Sequence, residues 1–189
     1  IFMKKSSTVI IIVVAVVFLI IMFLGGSYNS LVSKSEKVDK ELANVDVQLE
    51  RRADLIPNLV STVKGYTSHE TEIIDKITTA RENLLKADTV EEKGTANDQL
   101  TSALNALMVV VENYPDLKSN ENFIQLSDEL AGTENRIATA RRDYNNTVTD
   151  YNTTVKRFPT NILASMFGFE KKSYFEVSEG KTEVPKVEF

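Results

Sequence analysis

An all-α chain is predicted: an N-terminal transmembrane helix followed by an antiparallel four-helix bundle in which helices one and four are long and helices two and three are short. Three observations carry that expectation. An unbroken apolar run of 16 residues, Val9 to Leu24, opens the chain and is closed by Gly25-Gly26. Beyond it, apolar residues recur at three- and four-residue steps, the spacing of one helical face. Glycine (7) and proline (4) are too scarce among 189 residues for a turn-rich all-β chain. Cysteine is absent, which excludes a disulfide framework, a thiolate zinc site, a catalytic Cys and an iron–sulfur cluster.

Residues 1–7 read as a short N-terminal tail, in which Met3 is a better initiator than Ile1 and Lys4-Lys5 precede the apolar run. Residues 8–27 supply 20 uncharged positions, which at about 1.5 Å each cover a hydrocarbon layer of ~30 Å. A cleaved signal peptide is the rival reading. A retained anchor is favoured, because the run exceeds a usual signal core and Gly25-Gly26-Ser27 matches a small-x-small cleavage site poorly. Lys4 and Lys5 on one side stand against Lys34, Lys37 and Lys40 on the other, so the positive-inside rule leaves the side of the following domain open.

From Tyr28 the pattern turns amphipathic. Leu31, Val38, Leu42, Val45, Leu49, Ile56, Leu59 and Val63 form a heptad-like seam, with Ser35 and Arg52 in its gaps. Nothing between Gly26 and Ile56 breaks a helix, so the membrane segment and helix one are expected to be continuous. Pro57 removes a backbone donor and crowds the carbonyl four residues back, which predicts a kink but not a stop, since Leu59 resumes the seam in register.

Gly65-Tyr66 predicts the end of helix one, and Thr67 with Glu70 a capping box opening helix two. Helix two carries Ile73, Ile77, Ala80 and Leu84. A polar link at Lys86 to Asp88 and a second capping box at Thr89 and Glu92 lead into helix three, with Leu100, Leu104, Leu107, Val111 and Tyr114 on its stripe. Gly94 is read as a boundary near its start, and Pro115 ends it. Helix four keeps a seam from Phe123 to Phe158 for about 36 residues and is stopped by Pro159. An even number of antiparallel passes should bring Phe158 back beside Tyr28, with the aromatic segment near the membrane surface. Residues 28–175 make the helical domain. Residues 176–189, acidic and poor in apolar side chains, are expected to be disordered.

The net charge is −5, and it is more negative still once the two N-terminal lysines are set aside. Such a portion repels phosphate backbones and shows no cluster of Lys and Arg, so no nucleic-acid partner is expected. No Gly-rich phosphate loop, nucleophile elbow or Ser–His–Asp spacing is present; no enzyme activity and no cofactor are expected. The sole histidine, His69, stands beside Glu70 and Glu72 without a zinc-ligand spacing. Helix-start acids meet the macrodipole there, and a metal-dependent hydrolase centred on His69 is the remote alternative.

Arg51, Arg52, Asp54, Pro57 and Asn58 are the candidate partner or oligomer contact. The competing reading, which is favoured for the charged members and for Arg141-Arg142-Asp143, is an ion-pair network inside the bundle. Tyr28, Tyr144, Tyr151 and Phe158 read as core. Met166, Phe167, Phe169, Lys171, Lys172, Tyr174 and Phe175 are the candidate membrane-surface contact, against the equal alternative that this segment folds back to cap the bundle.

The string Arg51-Arg52-x-Asp54-Leu-Ile-Pro-Asn-Leu-Val60 resembles the signature of the LemA family of bacterial membrane proteins. Further matches are Tyr28-Asn29, Asp46-Val-Gln-Leu49, Lys64-Gly-Tyr66, His69-Glu70, Ala80-Arg81, Ala140-Arg141-Arg142, Tyr144-Asn145, Tyr151-Asn152, Phe158-Pro159 and Gly168-Phe169 through Tyr174-Phe175. The resemblance implies a single-pass bacterial membrane protein with an antiparallel helical domain; for the family the small N-terminus is predicted to lie outside, which would make that domain cytoplasmic. The family includes a magnetosome-membrane protein, and its genes often lie near those of membrane proteases. Neither fact assigns a reaction; a polar-flanked seam without a catalytic constellation, and a signature too dense for packing alone, make a membrane-anchored, self-assembling helical scaffold or adaptor the expected function. The alternative is a subunit that delivers substrates to, or regulates, a membrane protease.

Overall fold

The computed structural model describes residues 2–67 and 70–176, with side chains from residue 9 onward. His69 and residues 177–189, the segment expected to be disordered, lie outside the described residues. The elements are α1 (Phe2–Lys64), α2 (Thr71–Lys86), α3 (Val90–Val111), α4 (Pro115–Lys118), α5 (Glu121–Lys156) and α6 (Thr160–Phe167). No strand occurs among the described residues, and the all-helical expectation holds.

The long helices have the lengths that the seams demanded. α1 runs unbroken for 63 residues with Pro57 inside it, and α5 runs for 36. Two short helices were not anticipated. α3 closes at Val111, short of Tyr114, which was expected on its stripe; Pro115 instead starts α4, because its fixed φ and missing N–H suit the first turn of a helix. Past Pro159 the chain re-enters a helix as α6, and Gly168 closes it at φ 73°. In that left-handed conformation the Phe169 N–H donates to the Ala164 carbonyl at 2.9 Å.

The chain divides into two compact units. Residues 1–40 and 146–172 form the first. Its part of α1 carries the apolar stretch, and among the described residues α1 is the one helix long and apolar enough to cross a membrane. Nothing among the described residues buries that stretch. Immediately beyond it, Leu31 is fully covered, with Leu163 and Ala164 of α6 in its cluster and Val155 and Phe169 against it. Tyr28 meets the edges of Phe167 and Phe169 at centroid distances of 4.9 and 5.9 Å. The aromatic segment does return to Tyr28, but through α6. Phe158, expected in the core, is 77% exposed, because α5 ends two residues before it and carries the seam no further.

Among the described residues, those of 41–145 together with 173–176 form the second unit. On α1, Val45, Leu49, Ala53, Ile56, Leu59 and Val63 are buried, a 4-4-3-3-4 progression along one face. α2 and α3 pack on each other across the short link that follows Lys86. α2 buries Ile74, not Ile73, with Ile77, Ala80 and Leu84; its first apolar position is thus one residue later. α3 opens with the expected capping box: Thr89 accepts from the Glu92 N–H at 3.2 Å, and the Glu92 carboxylate accepts from the Thr89 N–H at 3.0 Å.

The other box does not form. α2 starts at Thr71 with no side-chain cap. The Thr67 hydroxyl donates instead to the Val63 carbonyl at 3.2 Å, closing α1, and the Glu70 carboxylate accepts from the Tyr114 hydroxyl at 2.9 Å. Gly94 is no boundary either. It lies inside α3, where a Cβ would touch the Phe175 ring at 3.5 Å.

Candidate functional site

The signature stretch is built around a defect in α1. Pro57 has no N–H, so the carbonyl of Ala53, four residues back, loses its helical donor. Arg81 of α2 supplies one, its Nε donating to the Ala53 oxygen at 2.8 Å. A buried carbonyl is thereby satisfied from a neighbouring helix, and α2 is pinned to α1 at the proline.

Arg52, one residue before Ala53, takes the seam position between Leu49 and Ile56 and is only 3% exposed. Its Nη1 donates to the Asn97 side-chain oxygen at 2.6 Å and to the Thr101 hydroxyl at 3.0 Å. The same nitrogen forms an ion pair with Glu134 of α5. One guanidinium therefore ties α1 to α3 and α5. Burial pulls its pKa below the ordinary arginine value, while the Glu134 and Asp98 carboxylates work in the opposite direction. A second bridge joins Lys93 of α3 to Asp46 of α1 at 2.7 Å. Above Arg52 lies a half-open groove of about 340 Å³, walled by Leu59, Leu104, Leu107, Met108 and Leu130. Chemically this is a fixed hydrogen-bonded ion pair beside apolar walls, not a paired nucleophile and base.

The structure divides the group singled out around this stretch. Arg52 is inside, as the network reading required, whereas Arg51, Asp54, Pro57 and Asn58 are exposed. Val47, Arg51, Asp54, Asn58 and Ser61 are all exposed and repeat at steps of 4, 3, 4 and 3, two residues out of phase with the buried seam. They line the opposite side of the helix.

Two asparagines that the sequence reading noted only within the family resemblance, with no role, hold the chain beyond α6. In the first unit, the Asn152 side-chain amide donates to the Lys172 carbonyl and accepts from the Lys172 N–H, both at 2.9 Å. In the second unit, Asn145 does the same to Phe175, at 2.8 and 2.9 Å. Each amide imitates a strand partner for one extended residue. The available signal was the dipeptide Tyr-Asn repeated seven residues apart, Tyr144-Asn145 and Tyr151-Asn152. In that repeat each Tyr is buried and each Asn faces a backbone.

The aromatic and basic residues proposed for the membrane surface are divided as well. Phe175 is buried, its ring edge-on to Tyr144 at 5.2 Å and under the Arg141 guanidinium, also at 5.2 Å. Arg141 further donates to the Glu176 carbonyl at 2.9 Å and pairs with Asp98 at 3.5 Å. Arg142 stays on the surface near Asp143. Lys172 is engaged by Asp39 at 2.9 Å, and Phe169 is partly covered. Met166, Phe167, Lys171 and Tyr174 are exposed. Among the described residues no group of three or more His, Asp or Glu is arranged to hold a metal ion.

Comparison with known proteins adds kinship. The chain is 29% identical over 175 residues to magnetosome protein MamQ 2 of Paramagnetospirillum magneticum, covering 79% of this chain and 64% of that one. It is 26% identical over 174 residues to magnetosome protein MamQ of Magnetospirillum gryphiswaldense, covering 78% and 64%. Against protein LemA of Metamycoplasma hominis it is 27% identical over 155 residues, covering 82% and 71%. The chain thus spans a little under two thirds of the magnetosome relatives' length. The LemA family profile matches residues 41–189, which include the proline-bearing signature, its Arg81 partner and both clamping asparagines: the chain belongs to the LemA family.

Proposed function

We propose that this protein is a membrane-anchored helical scaffold or adaptor that self-associates through the exposed signature face of α1. α1, α2, α3 and α5 are taken as its four-helix bundle, and residues 8–27 as its single pass through a bacterial membrane. One observation carries the reading. The signature separates into an inward set, Arg52 with the Ala53 carbonyl, committed to holding helices together, and an outward set, Arg51, Asp54, Pro57 and Asn58, which is exposed. A charged, proline-marked face on a helix stiffened from behind suits a protein contact more than a reaction, since among the described residues it shows no paired nucleophile and base. Kinship with chains named for the magnetosome, a cellular structure and not a reaction, supports the same reading.

Mass analysis and single-particle imaging of the detergent-solubilised native protein test it. A closed assembly of defined copy number, dispersed by Arg51→Glu with Asp54→Lys, is the expected result. A strict monomer removes the self-assembly. A monomer that co-purifies with a membrane protease moves the role to the subunit alternative.

A further inference from the structure

α6 sits where the apolar stretch of α1 ends. Leu163 and Ala164 on its covered side share a cluster with Leu31, and Phe167 meets Tyr28 at 4.9 Å. Tyr28 and Leu31 lie one and four residues past residue 27, so α6 is held within about 6 Å along α1 of the end of the span. Its other side is apolar and uncovered: Ile162 is 53% and Met166 71% exposed. Those two are four residues apart and share one face. Phe158 and Phe167 are exposed at either end of the helix. Outside them stand the exposed cations Lys156, Arg157 and Lys171, with Glu170 the one acid in that stretch. A short apolar face with an aromatic at each end and a basic rim, fixed at the level where hydrocarbon gives way to water, has the composition of a helix lying in a membrane interface.

We infer that α6 is a second membrane contact, lying in the headgroup boundary of the bilayer that α1 crosses. Phe158, Ile162, Met166 and Phe167 enter the lipid, and Lys156, Arg157 and Lys171 pair with anionic headgroups. The inference rests on the reading of residues 8–27 as a span. It narrows the contact to α6 and its flanks, because Phe175 is buried on Tyr144 and Lys172 is held by Asp39. A lipid partner is preferred to a second copy of the chain because the basic rim complements anionic phosphates.

The chain has no tryptophan, so one introduced indole reports alone. Met166→Trp and Ile12→Trp are each made in the full chain and reconstituted into vesicles of phosphatidylglycerol and phosphatidylethanolamine. The lipids are brominated either near the headgroup or near the chain ends. Met166→Trp should emit blue-shifted and lose most of its intensity to the shallow bromines, whereas Ile12→Trp should lose it to the deep ones. Replacing Lys156, Arg157 and Lys171 by Gln should weaken the shallow quenching. If Ile12→Trp is quenched and Met166→Trp by neither lipid, the interfacial helix is overturned while the span stands; Ile162→Trp, on the same face, repeats the reading should Met166→Trp fold poorly. A blue-shifted Met166→Trp that no lipid quenches means a protein surface covers α6, and also overturns it. An unquenched Ile12→Trp removes the span and the inference with it.

Discussion

Arg81 Nε donates to the Ala53 carbonyl oxygen at 2.8 Å, and that carbonyl is the one Pro57 deprives of its helical donor. A proline tolerated in a buried helix needs such a substitute, since an unmet buried carbonyl costs about 1–3 kcal/mol. Arg81→Ala should therefore lower stability by ~1–2 kcal/mol. In a Pro57→Ala background the new N–H can serve Ala53, and the same change should cost much less. A double-mutant cycle by urea unfolding in detergent reads the coupling. Equal costs in both backgrounds would sink the account.

Arg52 is a harsher test of the core. Arg52→Ala takes from the Asn97 oxygen its donor and from the Glu134 carboxylate its cation, leaving Glu134 only the Thr101 hydroxyl at 3.4 Å, and breaking a buried pair costs about 3–5 kcal/mol. Glu134 is 38% exposed, so the loss should fall near ~3 kcal/mol. Arg52→Met combined with Glu134→Leu should recover part of it, because no unpaired charge then remains. Thermal unfolding of the two variants gives the comparison.

The asparagine clamps should be separable. Asn145→Ala removes both bonds to Phe175, and Asn152→Ala both bonds to Lys172. Two net bonds are worth about 1–3 kcal/mol, so amide exchange at the matching residue should quicken on the order of 10–100-fold. The other clamp's amide should change far less. Simultaneous release of both amides by either variant would show a single cooperative segment instead.

Burial raises the Tyr151 pKa above its ordinary value, Lys172 and the bond with Ser35 opposing. The unfolded chain then ionises first. Stability is whole below a pH of about 10 and falls as pH rises from there through the folded value. Tyr151→Phe should flatten that alkaline loss, leaving a smaller slope from Tyr114, which its bond to Glu70 also raises. Urea midpoints against pH check both the sign and the residue.

Periodicity was a sound guide wherever a helix buries one stripe along its length. The seam from Val45 to Val63, the Thr89 capping box and the reach of α5 were legible because each depends on neighbours three or four residues away. Ile73, Phe158 and Gly94 were misplaced for different reasons. Ile73 and Ile74 are adjacent, and which one turns inward depends on where α2 starts. Phe158 continued a pattern past the end of its helix. Gly94 gave no sign that a ring 81 positions later would sit on it.

The sequence by itself determined an all-helical chain with one apolar stretch long enough for a membrane, two long amphipathic helices and the breaks after Lys64, after Lys86 and before Pro159, since all of these follow from local spacing, proline and caps. Tertiary structure alone decided what the polar residues are for. Arg51 and Arg52 are identical in type and adjacent, yet one faces outward and the other ties three helices together. Arg81, Asn145 and Asn152 look like surface residues in sequence and are spent on backbone groups 28 to 30 and 20 positions away. A hydrogen bond is decided by which donor and acceptor meet in space, and no period of 3.6 residues encodes that meeting.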